Sequence, residues 1–224
     1  RQLSTLKIEK RRRDWLLGRW TAKHLVQGYL AAEENFSPAL NKIRIANAED
    51  GSPFCELLSD REGKGEIRRL PVSLSISHSH GYSLCALCHE SERSDVTWSL
   101  GCDIEWIEHR EQNFVQDFFT AQEIRDVMAT PVESRNCRVT AIWSAKEAVL
   151  KSLRTGLRID TRRITCQFGA PNGAANEWTP LTVTTDSGLA AEFPGRWFAW
   201  WQVQNGFVMT MALHETGSES RQIN

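Results

Sequence analysis

Residues 197–213 read Trp-Phe-Ala-Trp-Trp-Gln-Val-Gln-Asn-Gly-Phe-Val-Met-Thr-Met-Ala-Leu. Asn205-Gly206 at the centre is a pair that tolerates positive φ twice in succession, the requirement of a two-residue hairpin turn. Trp197, Ala199, Trp201 and Val203 alternate with Phe198, Trp200, Gln202 and Gln204, so the spacing predicts an antiparallel ribbon with one buried face. Upstream, residues 138–153 change period. Ile142, Ala145, Val149 and Leu153 recur at helical spacing and define the clearest helix in the chain. A long helix beside antiparallel strands, without regular β-α-β alternation, argues for an α+β fold.

The first part of the chain repeats this mixture. Residues 8–30 predict a helix with a packed stripe of Trp15, Gly18, Ala22, Leu25 and Tyr29, while Arg12, Arg19 and Lys23 share another face. The stretch 49–69, rich in Gly, Ser, Asp and charge, predicts a long loop. Strands are expected at 72–76 and 82–88, joined through Ser77-His-Ser-His-Gly81, and at 100–106, entered through Gly101. Thr120-Ala-Gln-Glu123 is a capping box opening a helix to about residue 128, and it accounts for Glu123 structurally. Trp143 is read as a packing residue. The reading divides the chain into two halves, residues 1–98 and 99–224.

A chain of 224 residues, 41% hydrophobic and 25% charged, supports a full core, which excludes disordered, collagenous and disulfide-scaffold classes. Lys+Arg 27 against Asp+Glu 28 leaves a net charge of −1. No global field points to nucleic acid or membrane as partner, and no apolar run is long enough to span a bilayer. No signal peptide pattern is present, but the chain begins at Arg1 rather than Met, so sequence ahead of it is expected. The six cysteines are scattered and read as free thiols of a reducing compartment. Cys85-Ala-Leu-Cys88-His89 has the form of a haem attachment, and His78, His80, Cys85 and Cys88 could be drawn into a zinc site. Both are set aside: no axial methionine and no second ligand pair of suitable spacing accompany them.

Three fragments carry chemistry. In Gly101-Cys-Asp-Ile-Glu105, Asp103 and Glu105 share one strand face, and two adjacent carboxylates call for a cation between them. Oxygen ligands from few protein groups suit Mg²⁺. In Trp143-Ser-Ala-Lys-Glu-Ala-Val-Leu-Lys151, Glu147 and Lys151 lie one turn apart, either as a solvated ion pair or as a third carboxylate beside a phosphate-neutralising lysine. Lys146 stands next to them in sequence. Ser77 and His78 offer short donors for a compact anion, and Lys10-Arg-Arg-Arg13 is either a solvated helix start or a phosphate contact. Acyl transfer by a Ser–His pair is disfavoured, because neither an orienting third residue nor a nucleophile elbow surrounds these serines.

In order, Trp15-Leu-Leu-Gly-Arg19 with Ala22-Lys23, Ser75-Ile-Ser-His-Ser79, Gly101-Cys-Asp-Ile-Glu105 with Arg110, Phe118-Phe119 with Glu123, and Trp143 to Lys151 with Gly156-Leu157 resemble the Sfp-type 4'-phosphopantetheinyl transferases, over about residues 10–160. The resemblance implies two pseudo-symmetric α+β halves, each a small, mostly antiparallel sheet packed on a long helix, with coenzyme A in the cleft between them. It implies transfer of the phosphopantetheine arm to a serine of an acyl or peptidyl carrier protein, with release of adenosine 3',5'-bisphosphate. Asp103, Glu105 and Glu147 would hold Mg²⁺. Ser77 and His78 would meet the coenzyme's phosphates, Lys146 and Lys151 would offset diphosphate charge, and Lys10 and Arg13 would lie near its 3'-phosphate. Glu147, or a water held by the ion, would act as base, with Lys151 the other candidate. Gly51-Ser52-Pro53 stands where the family usually has Gly-Lys-Pro at the adenine end, so Ser52 removes a cation there. Arg154 stands where a glycine is common. These two departures keep open a non-catalytic binding module of the same fold. Arg154, Arg158, Arg162 and Arg163 are the expected surface for an acidic carrier. A cytoplasmic monomer is expected.

Overall fold

A computed structural model describes residues 9–59, 66–90, 95–169 and 177–217; residue 8, where the first helix is predicted to start, lies outside them. The elements run α1 (Glu9–Glu33), β1 (Ile43–Asn47), β2 (Pro53–Ser59), β3 (Glu66–Arg69), β4 (Val72–Ser79), β5 (Tyr82–His89), β6 (Thr97–Trp106), α2 (Gln112–Phe118), α3 (Ala121–Ala129), α4 (Arg135–Ser152), β7 (Ile164–Phe168), β8 (Thr179–Thr185), α5 (Ser187–Glu192), β9 (Arg196–Gln204) and β10 (Phe207–Thr216). The fold is α+β with antiparallel sheets. Among the described residues, no helix is long and apolar enough to cross a membrane.

The second half is a five-stranded sheet in the order β6-β10-β9-β8-β7. Its centre is the hairpin β9–β10, whose turn residues Asn205 and Gly206 have φ of 51° and 79°. Ala199 and Trp201 of the alternating face are buried with Val208 and Ala212 against α4. That helix presents Ala141, Ala145 and Ala148 to the sheet, small residues that let it lie close. Contact is tightest at Gly101, where an added Cβ would stand 1.8 Å from the Ala148 carbonyl oxygen. Fully buried Val149, Leu150 and Ile164 extend this core, each contributing about 1.5–3 kcal/mol relative to exposure. On the helix's other side, α2 and α3 enclose a smaller cluster of Val115, Phe119, Val127, Ile142 and Trp143. Trp143 meets Phe114 and Phe118 edge-on, at centroid distances of 4.9 and 5.2 Å; it is a packing residue.

In the first half, α1 buries Gly18, Ala22, Val26 and Leu30. The predicted stripe is rotated slightly: Leu25 and Tyr29 flank this core as partly buried neighbours. Within the loop expected at 49–69, two segments of the described residues, Pro53–Ser59 and Glu66–Arg69, are strands, while part of the expected loop lies outside the described residues. β2 pairs antiparallel with β1 and with β3, forming a separate three-stranded sheet. β4 also runs beyond the predicted residue 76 to Ser79, and pairs with β5 along its whole length. The turn contracts to His80-Gly81, both at positive φ, 48° and 80°.

The two halves meet along β4 and β6. Val72, Leu74 and Ile76 of β4 face the first core, which turns the alternate residues Ser73, Ser75, Ser77 and Ser79 the other way. Ser73, Ser75 and Ser79 accept hydrogen bonds from the backbone N–H groups of Leu100, Cys102 and Trp106, at 3.3, 2.9 and 3.3 Å. The constant separation of 27 residues shows that the strands run side by side in the same direction. Serine hydroxyls thus occupy the place that main-chain carbonyls take in a ladder.

Candidate active site

Asp103 lies on β6 at this junction and is 3% exposed. Its Oδ1 accepts the Ser77 hydroxyl and the Lys151 ammonium, both at 2.7 Å. Among the described residues, its Oδ2 is buried with no hydrogen-bond partner. Lys151, in the last turn of α4, reaches Asp103 because Gly101 lets that helix settle onto β6. Its ammonium also donates to Ser77 Oγ at 3.0 Å and to the Cys102 carbonyl at 3.2 Å, so three acceptors use its three donors. Burial is the largest single influence and opposes that charge, but Asp103, Cys102 and Glu147 together outweigh it and hold the Lys151 pKa above its ordinary value.

Glu105, two residues along β6, and Glu147, one turn before Lys151 on α4, complete the group. Burial, and then the Asp103 charge, push the Glu105 carboxyl up to about 7, against the opposing pull of Arg110. Arg110 reaches Glu105 at 3.2 Å. The Glu147 carboxyl is likewise raised, chiefly by burial, with Lys151 lowering it and Asp103 raising it. The carboxylates share one field without closing on a point: among the described residues, no three His, Cys, Asp or Glu side chains are poised to hold a metal. The residues nonetheless suit a cation. An orphaned buried carboxylate oxygen and two carboxyls disfavoured in their charged form all gain from a hard divalent ion accepting oxygen ligands.

The other expected residues divide. Gly51, Ser52 and Pro53 line a cavity of 360 Å³ that reaches across to Lys151. His78, half-exposed, lines an adjoining cavity of 410 Å³ that shares Gly51 and Pro53 with it. The basic residues of that second cavity are Arg11 and Arg19. Arg19 lies over the Trp15 ring at 4.8 Å and bonds to Asn47. Lys10 and Arg13 are exposed on the first turns of α1 and, at 100° per residue, point to other sides of the helix. Within the run 10–13, Arg11 is the residue that lines this cavity.

Lys146 requires a correction, because it does not join the cleft. Its ammonium is fully buried in the second half, 2.9 Å from Glu123 Oε2, and donates to the Thr161 carbonyl at 2.7 Å and to the Ile164 carbonyl. Glu123 closes the capping box with Thr120, as its sequence context indicates, and also accepts the Cys166 N–H at 2.8 Å. Successive helical residues lie about 100° apart, so Glu147 faces the junction while Lys146 faces the core. The cysteine readings end as free thiols: Cys85 and Cys88 are pushed up to about 11, chiefly by burial, and His89 instead bonds the Tyr29 hydroxyl at 2.8 Å.

A sequence model described as the 4'-phosphopantetheinyl transferase superfamily matches residues 99–211, half of the chain. The chain belongs to this superfamily. A 4'-phosphopantetheinyl transferase psf-1 of Bacillus pumilus is 28% identical over 108 residues, which cover 47% of this chain and 43% of that relative, less than half its length. Among solved structures, the Chronobacterium ammoniagenes ACPS-CoA complex is 14% identical, covers 55% of this chain and 99% of its own, and has a TM-score of 0.41. A holo-[acyl-carrier-protein] synthase of Neisseria meningitidis is 19% identical, covers 53% and 98%, and has a TM-score of 0.42.

Proposed function

We propose that the protein transfers the 4'-phosphopantetheine arm of coenzyme A to a serine hydroxyl of an acyl or peptidyl carrier protein and releases adenosine 3',5'-bisphosphate. Family membership supports the reaction class. The observation that carries the reading is the Asp103 carboxylate, buried at the junction with one oxygen bound by Ser77 and Lys151 and the other without a partner among the described residues. In the transfer, the serine oxygen forms a bond to the phosphorus bearing the pantetheine arm as the bond from that phosphorus to the bridging diphosphate oxygen breaks; the serine proton passes to a base. Asp103, Glu105 and Glu147 would hold Mg²⁺, which when bound would neutralise charge on the diphosphate.

The chain's own side chains then have distinct tasks. Lys151, its three donors already engaged, remains an ammonium: it supplies charge and has no lone pair to accept a proton. Glu147 is therefore the better base of the two. Ser77 fixes the Asp103 carboxylate, while His78 faces the neighbouring cavity, together with Arg11 and Arg19, as a contact for the coenzyme's phosphates. Gly51, Ser52 and Pro53 form the wall opposite Lys151. The reading includes a cytoplasmic monomer: all six cysteines are free thiols, which suits a reducing compartment, and the cleft is built within one chain.

Incubation with coenzyme A, Mg²⁺ and a small panel of apo-carriers, read by mass spectrometry, tests the proposal. A carrier gain of about 340 Da, the mass of the transferred arm, is expected, and excess EDTA or Asp103→Ala should abolish it. Coenzyme binding without mass gain on any carrier would replace the enzyme by a binding module of the same fold.

A further inference from the structure

We infer that Arg154 and Arg158 form a phosphate-binding subsite for coenzyme A at the C-terminal end of α4, an inference that rests on the coenzyme reading above. The helix ends in a doubly hydrogen-bonded cap: the Thr155 N–H donates to the Leu150 carbonyl and the Arg154 N–H to the Lys151 carbonyl, both at 3.1 Å. Such a cap places its central residue in the left-handed region, where glycine is favoured. Here that residue is Arg154, with φ of 57°. An L side chain there costs stability, so the cap alone does not account for an arginine.

The cavity that this end of the helix faces supplies a reason. One wall is Asp50, Gly51, Ser52 and Pro53, which together contribute no cation. Asp50 accepts the Ser52 N–H and hydroxyl at 2.9 and 2.6 Å and stays ionised, its pKa lowered first by those hydrogen bonds. The opposite wall carries Lys151, already committed to Asp103, with Arg154 and Arg158. Among the described residues, the Arg154 guanidinium has no hydrogen bond or close ion pair and acts on Asp50 only through its field. Among the same residues, Arg158 donates only to the Arg154 carbonyl, at 2.9 Å.

Two cations against one carboxylate leave the cavity net positive on the wall that also carries Lys151. Arg162 and Arg163, expected to join these two as a carrier surface, are already neutralised: Arg162 meets Asp160 at 2.7 Å, and Arg163 meets Asp186 at 3.0 Å. A phosphate carried on the ligand whose diphosphate meets Lys151 fits the remaining pair, since guanidinium forks match phosphate oxygens.

Titration of coenzyme A into the wild type, Arg154→Gly, Arg154→Lys and the double variant Arg154→Gly/Ser52→Lys tests this. Arg154→Gly should melt at a higher temperature yet bind about tenfold more weakly, the loss of one charge-assisted contact. Arg154→Lys should keep most of the affinity. The double variant, which returns a cation to the same cavity from its other wall, should recover it. Unchanged affinity in Arg154→Gly, with the wild type binding normally, would reduce Arg154 to a helix cap and remove the subsite alone. A wild type that does not bind coenzyme A would overturn the coenzyme reading and the subsite with it.

Discussion

Lys146 and Lys151 lie five residues apart on one helix and have opposite fates. Lys151 sits at a solvent-reachable junction and shares its ammonium among three acceptors beside a carboxylate group. Lys146 is sealed into the second half with Glu123, at side-chain exposures of 0% and 2%. A buried pair of this kind is weak evidence of net stabilisation, but breaking it strands a charge. Lys146→Met should therefore cost about 3–5 kcal/mol in urea denaturation, whereas Lys146→Met combined with Glu123→Leu should cost clearly less. Equal losses in the two variants would show that the capping contacts of Glu123, not its pairing with Lys146, dominate. In sequence the two lysines look alike, both adjacent to or one turn from Glu147. Only helical phase combined with knowledge of which face meets the sheet separates them. Arg11 was hidden in the same way: the run 10–13 announces basic charge, but the helix's rotation against the sheet decides which member turns toward His78.

At the scale of elements, the signals that were legible came from burial. The hairpin around Asn205-Gly206, the helix α4 and the capping box at Thr120 each carry a strong periodic or turn pattern, and each forms close to its expected bounds. β1 and β2 bury Ile43, Ile45, Cys55 and Leu57 in alternation, but these are short runs set among polar and turn-forming residues, and the composition of the stretch hid them. β3, Glu66-Ile-Arg-Arg69, is exposed at every position, so no alternation exists to read. β4 was cut short for a different reason. Ser77, His78 and Ser79 resemble a turn in composition, yet Ser77 and Ser79 are strand residues whose hydroxyls are engaged by β6. Gly101 shows how an element positions chemistry: it lets α4 descend far enough for Lys151 to reach Asp103. Gly101→Ala forces either the strand or the helix to move. A loss of about 1–3 kcal/mol in denaturation is expected, together with weakened coenzyme A binding; a variant with wild-type stability and binding would show that the close approach does not set the site.

Taken whole, the molecule carries a pH-sensitive residue on β10, outside the carboxylate group. His214 of β10 is 3% exposed, stacks on Trp197 at 4.2 Å, and leaves Nε2 without a hydrogen-bond partner among the described residues. Burial holds its pKa below 6.5, so the native state resists protonation while the unfolded chain takes up a proton near that value. Stability contributed by the neutral ring is complete above the unfolded pKa and is lost as pH falls below it. The slope should be no more than about 1.4 kcal/mol per pH unit for this one group. His214→Phe should flatten the fall in melting temperature between about pH 7 and pH 5; an unaltered slope would assign that fall to other groups. The joint between the halves has a different consequence. Main-chain ladders form whatever the side chains are, whereas this one is written one hydroxyl at a time through Ser73, Ser75 and Ser79, with Ser77 reaching the Asp103 carboxylate. Substitution along a single strand face can thus widen or tighten the aperture that admits the ligand while each half keeps its own interior intact, so gape and fold can evolve separately.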